Sequence, residues 1–289
     1  MQQIDFQGLG TVWSILIDTD TTVTDLADEV KEVAQNFERR FSRFLVDSEV
    51  NAFRTAKPGT YPISEELAVL LERGQALRLV TRGAYNPAIG AVLEQAGYGG
   101  RQGTPLVRTN DQSLADWSLQ GTNLTLHGPL AFDLGGIGKG YLIDVLGGII
   151  ARAGHAHYLV DGGGDLYGTT KQNNEPWRAA VEYPGKPELA ASVVELHHQG
   201  LAVSDSFRRR FGKHHHVMNA KTQMSVRGVI GCAALAPTAW AADCMTSALF
   251  LGDASCYQEV RTMFAGEYIV FQEDGRALVS SQWPGEIFT

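Results

Sequence analysis

The chain of 289 residues has only three cysteines, Cys232, Cys244 and Cys256. They cannot all pair with one another, and they lack C-x-x-C spacing. This argues against a disulfide framework and a cysteine zinc site. Buried thiols in a reducing compartment are the expectation. Basic charge is also scarce, with 24 Lys and Arg against 32 Asp and Glu and a net charge of −8. General nucleic-acid binding needs a basic footprint, so no nucleic-acid partner is expected. An anionic membrane surface would repel such a chain. No stretch approaches the ~18 uninterrupted apolar residues of a bilayer span. The first residues, Met1 to Asp5, carry neither a basic nor an apolar segment and do not read as a secretory signal. The expectation is a cytoplasmic protein, or the mature form of an exported one. No Pro/Ser/Gly-rich linker divides the chain, and no internal repeat of roughly 20–50 residues is visible. A single domain over residues 1–289 is expected.

Apolar material is plentiful at 44%, with 19% charged residues, so a sizeable core is expected rather than disorder. The 32 glycines cluster, which points to sharp turns and close backbone approach. Residues 11–17 read as a strand rich in β-branched side chains. Leu26, Val30, Val33, Phe37 and Phe41 form the apolar stripe of a helix. Ser64 followed by Glu65 and Glu66 is a helix start, with Leu67, Leu70, Leu71, Leu77 and Val80 on its buried face. Residues 83–103 are glycine-rich and give no clear element. Further helices are expected over residues 140–153 and 239–251. Short strands are expected at 123–127, 158–161, 177–183, 192–196, 200–204 and 229–234, and a closing hairpin at 268–271 and 277–280. Strands bunched in the second half with scattered helices indicate an α+β fold.

Four segments carry chemical potential. Asp133-Leu134-Gly135-Gly136-Ile137-Gly138-Lys139-Gly140-Tyr141 opens a helix. Free backbone N–H groups and the positive helix end at such a turn suit phosphate. It is not a P-loop, because Asp133 stands at the first glycine position and Gly140 follows the lysine. It is not the dinucleotide fingerprint G-x-G-x-x-G either. Asp243 and Ser247, four apart on a helix, present a carboxylate and a hydroxyl on one face, a pairing that can hold a hard divalent cation. An acidic residue near a helix start is the plainer reading. His214-His215-His216 suggests metal, but consecutive strand residues alternate faces, so only two could converge. His216 is also a candidate base near neutral pH, and surface stacking is the other reading. Arg208-Arg209-Arg210 is a solvated face or a docking patch for an acidic partner.

In their order these segments resemble the ApbE family, the FAD:protein FMN transferases, over about residues 8–252. Gly8-Leu9-Gly10-Thr11 is similar to the family's G-M-G-T opening. Phe41-Ser42-Arg43-Phe44 with Asp47-Ser48-Glu49-Val50-Asn51 resembles S-x-Y/F…D-S-E-L-S/N. Gly83 to Gly90 resembles G-x-F/Y-D-P-T-V-G, with Gly97-Tyr98-Gly99 after it. Asp133 to Tyr141, then Asp144, is similar to D-L-G-G-I-A-K-G-Y-x-x-D. Asp161-Gly162-Gly163-Gly164-Asp165 resembles N-x-G-G-D. His216 to Thr222 is similar to H-I-I-D-P-R/K-T, and Ala236 to Ser247 resembles A-P-T-A-x-x-A-D-A-L-S/A-T.

The resemblance implies an ApbE-like fold, mostly antiparallel sheet with flanking helices. It implies a Mg²⁺-dependent transferase in which a Ser or Thr hydroxyl of an acceptor flavoprotein attacks the FMN-side phosphorus of FAD and AMP leaves. Asp243, the Ser247 hydroxyl and the Gly136 carbonyl would be the metal ligands. Asp133 and Lys139 would contact FAD. Leu9 and Phe44 would pack on the flavin or adenine, Ala96, Gly97 and Tyr98 would line its path, and Val217 would complete the FAD site. His216 and Asp243 would be the catalytic residues, His216 as base or donor for the acceptor hydroxyl. Ser247 replaces Thr, Gly138 replaces Ala, and Asn219-Ala220 replaces Asp-Pro, removing a carboxylate and a rigid turn. A Mg²⁺-dependent FAD pyrophosphatase, or a non-catalytic FAD-binding protein, would use the same site.

Overall fold

The strand Val229–Ala236 is apolar at nearly every position. A strand with one wet face alternates, whereas one covered on both faces need not. In the computed structural model, which describes residues 1–99, 117–212 and 214–288, that strand lies inside an eight-stranded sheet covered on both sides. Cys232, Ala234 and Ala236 point into a core shared with helices, while Ala233 and Leu235 point into a second core shared with another sheet.

In chain order the strands are β1 (Gln2–Gly8), β2 (Thr11–Ile17), β3 (Gly59–Pro62), β4 (Trp117–Gln120), β5 (Asn123–Leu126), β6 (Tyr158–Gly162), β7 (Leu166–Gly168), β8 (Trp177–Tyr183) and β9 (Lys186–Leu196). They continue with β10 (Gln199–Asp205), β11 (Arg210–Phe211), β12 (His214–His215), β13 (Met218–Asn219), β14 (Met224–Ser225), β15 (Val229–Ala236), β16 (Glu267–Gln272), β17 (Ala277–Val279) and β18 (Glu286–Ile287). The helices are α1 (Thr24–Phe41), α2 (Glu65–Val80), α3 (Gly90–Gln95), α4 (Gly138–Arg152), α5 (Ala239–Leu251) and α6 (Tyr257–Phe264). The main sheet runs β1-β2-β6-β7-β10-β15-β16-β17 with every neighbour antiparallel. Helices α4 and α5 pack on one face. The small sheet β18-β9-β8 covers the other, burying Trp177, Val181, Val194 and Leu196 against Leu201, Leu235 and Phe271. The architecture is α+β.

The helix starts follow from local chemistry. Ser64 Oγ accepts the N–H of Leu67 at the head of α2, at 3.2 Å. At the head of α5, Thr238 Oγ1 accepts from Ala241 N at 3.0 Å, and Asp144, reaching from α4, accepts from Ala239 N and Trp240 N, both at 2.9 Å. Three of the four N–H groups that a helix start leaves unpaired are thereby satisfied, and α4 is fixed to α5. The α1 stripe is Leu26, Val30, Ala34, Phe37 and Phe41, with Val33 only partly buried at its edge. Helix α4 begins at Gly138, earlier than the apolar pattern indicates. Within residues 83–103 the chain forms a short 3-10 turn (Pro87–Ile89) and then α3; residues 100–103 lie outside the described residues.

Two distant glycine motifs meet at the adjoining ends of β2 and β6. Gly163, at φ +72°, lies so close to the β1–β2 turn that a Cβ there would sit 2.4 Å from Thr11 Oγ1. In that turn Leu9 itself has φ +51°, an unusual conformation for a residue with a side chain. Among the described residues, no helix is long and apolar enough to cross a membrane.

Candidate functional site

Helix α5 crosses the start of α4 at very short range. A Cβ at Gly140 would lie 2.5 Å from the Ala239 carbonyl oxygen and 2.7 Å from Asp243 Cβ, so only glycine permits the approach. The crossing sets Asp243 and Ser247 against the glycine loop. Ser247 Oγ donates to the Gly136 carbonyl at 2.6 Å, and Asp243 Oδ2 accepts the Gly140 N–H at 2.9 Å. Lys139 pairs with Asp165 and lies 3.7 Å from Asp243 Oδ1. Asp165, from the Gly162-Gly163-Gly164-Asp165 turn, also accepts the Val203 N–H at 3.2 Å.

Two buried carboxylates thus share one ammonium. Burial pushes the Asp243 carboxyl up to about 6, with Asp165 adding to the rise and Lys139 and the Gly140 N–H opposing it. A carboxyl held that high lacks counter-charge when ionised. The nearby donors are a carboxylate, an alcohol and a carbonyl, all hard oxygens suited to Mg²⁺. Among the described residues there is no cluster of three His, Cys, Asp or Glu able to hold a metal. A cation here would need water or substrate oxygens for the rest of its shell. The residues present fit such an ion.

This pocket opens into a cavity of about 670 Å³, a size suited to a large organic ligand. Leu9, Phe44, Tyr98, Asp133, Gly136, Lys139, His216, Val217, Asp243 and Ser247 all line it. Ala96 and Gly97 do not; they form the turn after α3 that presents Tyr98, through Gly97 N to Glu94 O at 3.0 Å and Tyr98 N to Leu93 O at 2.8 Å. Tyr98 stacks on Phe211 with ring centres 5.1 Å apart and meets Phe44 edge-on at 6.1 Å, giving the cavity an aromatic wall.

Asp133 is more engaged than its motif position indicates. Its Oδ1 accepts the Gly135 N–H at 2.8 Å, and Oδ2 takes the Nε–H of Arg43. Arg43 also donates to Glu94 at 3.2 Å and to the Tyr98 carbonyl at 3.0 Å, with its guanidinium 4.2 Å from the Phe44 ring centre. Arg54 pairs with the same Glu94. This buried network ties the glycine loop to the aromatic wall, and any ligand contact by Asp133 would use its remaining lone pairs.

The histidine triplet divides. His215 turns inward, with Nε2 2.9 Å from the Val226 carbonyl, and His214 Nδ1 lies 3.3 Å from Ser225 Oγ. His216 faces the cavity, and its backbone N–H donates to the Arg209 carbonyl at 3.1 Å. Burial, then the charges of Arg209, His215 and Lys139, pull the His216 imidazole down to about 4, so it is neutral at pH 7. Its Nδ1 is buried without a partner among the described residues. Asn219 Oδ1 accepts the N–H groups of Lys221 and Thr222 at 2.9 and 3.3 Å. A side-chain oxygen therefore closes this turn as an aspartate would.

The sequence did not single out Arg43, Asp165 or Tyr85 as site residues, and Arg209 stood out only as part of a solvated face or docking patch. Arg43 and Asp165 lie inside quoted motifs, but their pairing is long-range. Tyr85 packs its ring on Gly136, and its Oη is buried without a partner among the described residues.

The chain matches the ApbE family over residues 9–263. The FAD:protein FMN transferase of Haemophilus influenzae is 24% identical over 302 aligned residues, which cover 94% of this chain and 87% of that protein. The FAD:protein FMN transferase of Escherichia coli K12 is 25% identical, covering 92% of this chain and 82% of its own length. The crystal structure of the ApbE protein from Thermotoga maritima superposes with a TM-score of 0.84 at 21% identity, over 98% of this chain and 97% of that one.

Proposed function

Since the chain belongs to the ApbE family, we propose that it is a flavin transferase that moves FMN from FAD to a Ser or Thr hydroxyl of an acceptor flavoprotein. AMP is the leaving group, and Mg²⁺ is the metal. The observation that carries this reading is the α4–α5 crossing, where an acid and an alcohol from one helix face the glycine loop at the rim of a large, aromatic-walled cavity.

Asp243, the Ser247 hydroxyl and the Gly136 carbonyl would hold the ion. When bound, Mg²⁺ would offset the diphosphate's negative charge and polarise its phosphoryl oxygens. Phe44, Tyr98 and Leu9 give the ring systems of FAD apolar surfaces to pack on. The Asp133–Arg43 pair keeps the glycine loop in register with that wall. Lys139, engaged by Asp165, holds the Asp243 side of the pocket. The acceptor's hydroxyl oxygen bonds to the FMN-side phosphorus, the bond from that phosphorus to the bridging oxygen breaks, and AMP departs with that oxygen. His216, neutral at pH 7, takes the hydroxyl proton.

His216→Gln is expected to lower the transfer rate by about 10²–10⁴-fold while leaving FAD affinity near the wild-type value. NMR titration, with the His216 ring assigned by its loss in that variant, should find it neutral until the pH falls to about 4. A midpoint near 6.5 would contradict the assigned environment. The reading as a whole is tested by incubating the protein with FAD and Mg²⁺, with and without acceptor. Flavin fluorescence that stays on the acceptor after denaturation is expected. Free FMN and AMP with an unmodified acceptor would make the protein a pyrophosphatase, and bound, unchanged FAD would make it a carrier.

A further inference from the structure

The cavity holds several cations, and nearly all are already engaged. Arg43 serves Asp133 and Glu94. Lys139 serves Asp165 and approaches Asp243. Arg208 pairs with Glu182 and with Asp205, the latter at 3.3 Å. Arg209 differs. It is half-buried and lines the same cavity, yet among the described residues its guanidinium has neither a carboxylate nor a carbonyl partner. Its neighbour Arg210 is exposed, over the Phe207 ring and off the cavity.

We propose that Arg209, rather than Lys139, is the cation that receives the substrate's diphosphate, donating to an oxygen of the FMN-side phosphoryl group. The inference rests on FAD being the substrate. The backbone suggests which phosphoryl group is meant. The Arg209 carbonyl holds the His216 N–H at 3.1 Å, so the arginine stands beside the residue assigned to the acceptor hydroxyl. The phosphorus attacked by that hydroxyl is the FMN-side one. A planar guanidinium suits two phosphoryl oxygens at once. Arg209 lines the same cavity as Lys139, His216 and Asp243. With no internal partner to release, it can bind phosphate without breaking an ion pair. Lys139 could not.

The test uses the full chain with Mg²⁺ and two probes, ADP and AMP. The terminal phosphate of ADP occupies the FMN-side position, and AMP lacks it. Arg209→Ala is expected to weaken ADP and FAD about tenfold or more while changing AMP affinity by less than about twofold. Arg209→Lys should recover part of the loss, and Arg210→Ala should bind all three as wild type does. Thermal melts report whether each variant is folded; the lysine variant keeps the question open if alanine unfolds the hairpin. ADP affinity that Arg209→Ala leaves unchanged overturns this inference alone. A wild-type protein that binds neither FAD nor ADP overturns it together with the flavin-transferase reading.

Discussion

Asp243→Asn is expected to abolish FAD turnover while leaving the fold in place. The asparagine keeps an oxygen for the Gly140 N–H, so the link between α5 and α4 survives. What disappears is the carboxylate's charge. In the wild type, burial already pushes this carboxyl up to about 6, and Lys139 is shared with Asp165. The substitution therefore removes a buried charge that the protein stabilises poorly, and the folded state should lose little. The reaction should lose much more. A hard cation bound only through a carbonyl and an alcohol is weakly held. The rate should fall on the order of a thousandfold, equal to about 4 kcal/mol of transition-state stabilisation. The wild-type melting temperature should rise on adding Mg²⁺, and that of Asp243→Asn should not. Wild-type turnover in the variant would remove Asp243 from the reaction.

Gly140→Ala should damage the fold and the site together. A Cβ at this position meets the Ala239 carbonyl at 2.5 Å and Asp243 Cβ at 2.7 Å. Backbone cannot move aside as a flexible side chain can, so α4 and α5 must separate. Overpacking of this kind typically costs 1–3 kcal/mol, and a backbone clash belongs at the upper end, about 3 kcal/mol. For a chain of this size that is a loss of about 5 °C in melting temperature. Separation would also displace Asp243 and Ser247 from Gly136, so activity should fall even at temperatures where the variant is folded. Gly148, on the same helix, is the control. A Cβ there meets only the tip of Arg152 at 3.3 Å, and Gly148→Ala should leave stability unchanged or raise it slightly. Equal melting temperatures for the two variants would refute the close-crossing argument.

How far the sequence revealed this arrangement depended on the range of the interaction. Helix α2 was legible because its cap is local, Ser64 lying one residue before the first turn. Strand β15 was legible because burial on both faces leaves a continuous apolar run. Strand β1 was not, since Gln2, Gln3, Asp5 and Gln7 leave a polar edge strand with little apolar signal. The first half of β9 was missed for a similar reason, its residues from Lys186 to Ala190 being exposed. The Asp243–Ser247 pair could be read from helical spacing, and the glycine loop from its motif. That the two meet depends on Gly140, whose role appears only when α5 is laid across it. Charge pairing was the least legible part. Lys139 and Arg209 are both cations in the sequence, and only the structure shows Asp165 beside one and, among the described residues, no acceptor beside the other.

The most direct measurement is the intact mass, and then the peptide mass, of an acceptor flavoprotein co-expressed with this protein. The account predicts that the acceptor gains one FMN less a water, on a single Ser- or Thr-bearing peptide, and that co-expression with Asp243→Asn leaves it unmodified. An acceptor of unchanged mass beside an active, FAD-consuming wild type, or one modified equally well by Asp243→Asn, would contradict it.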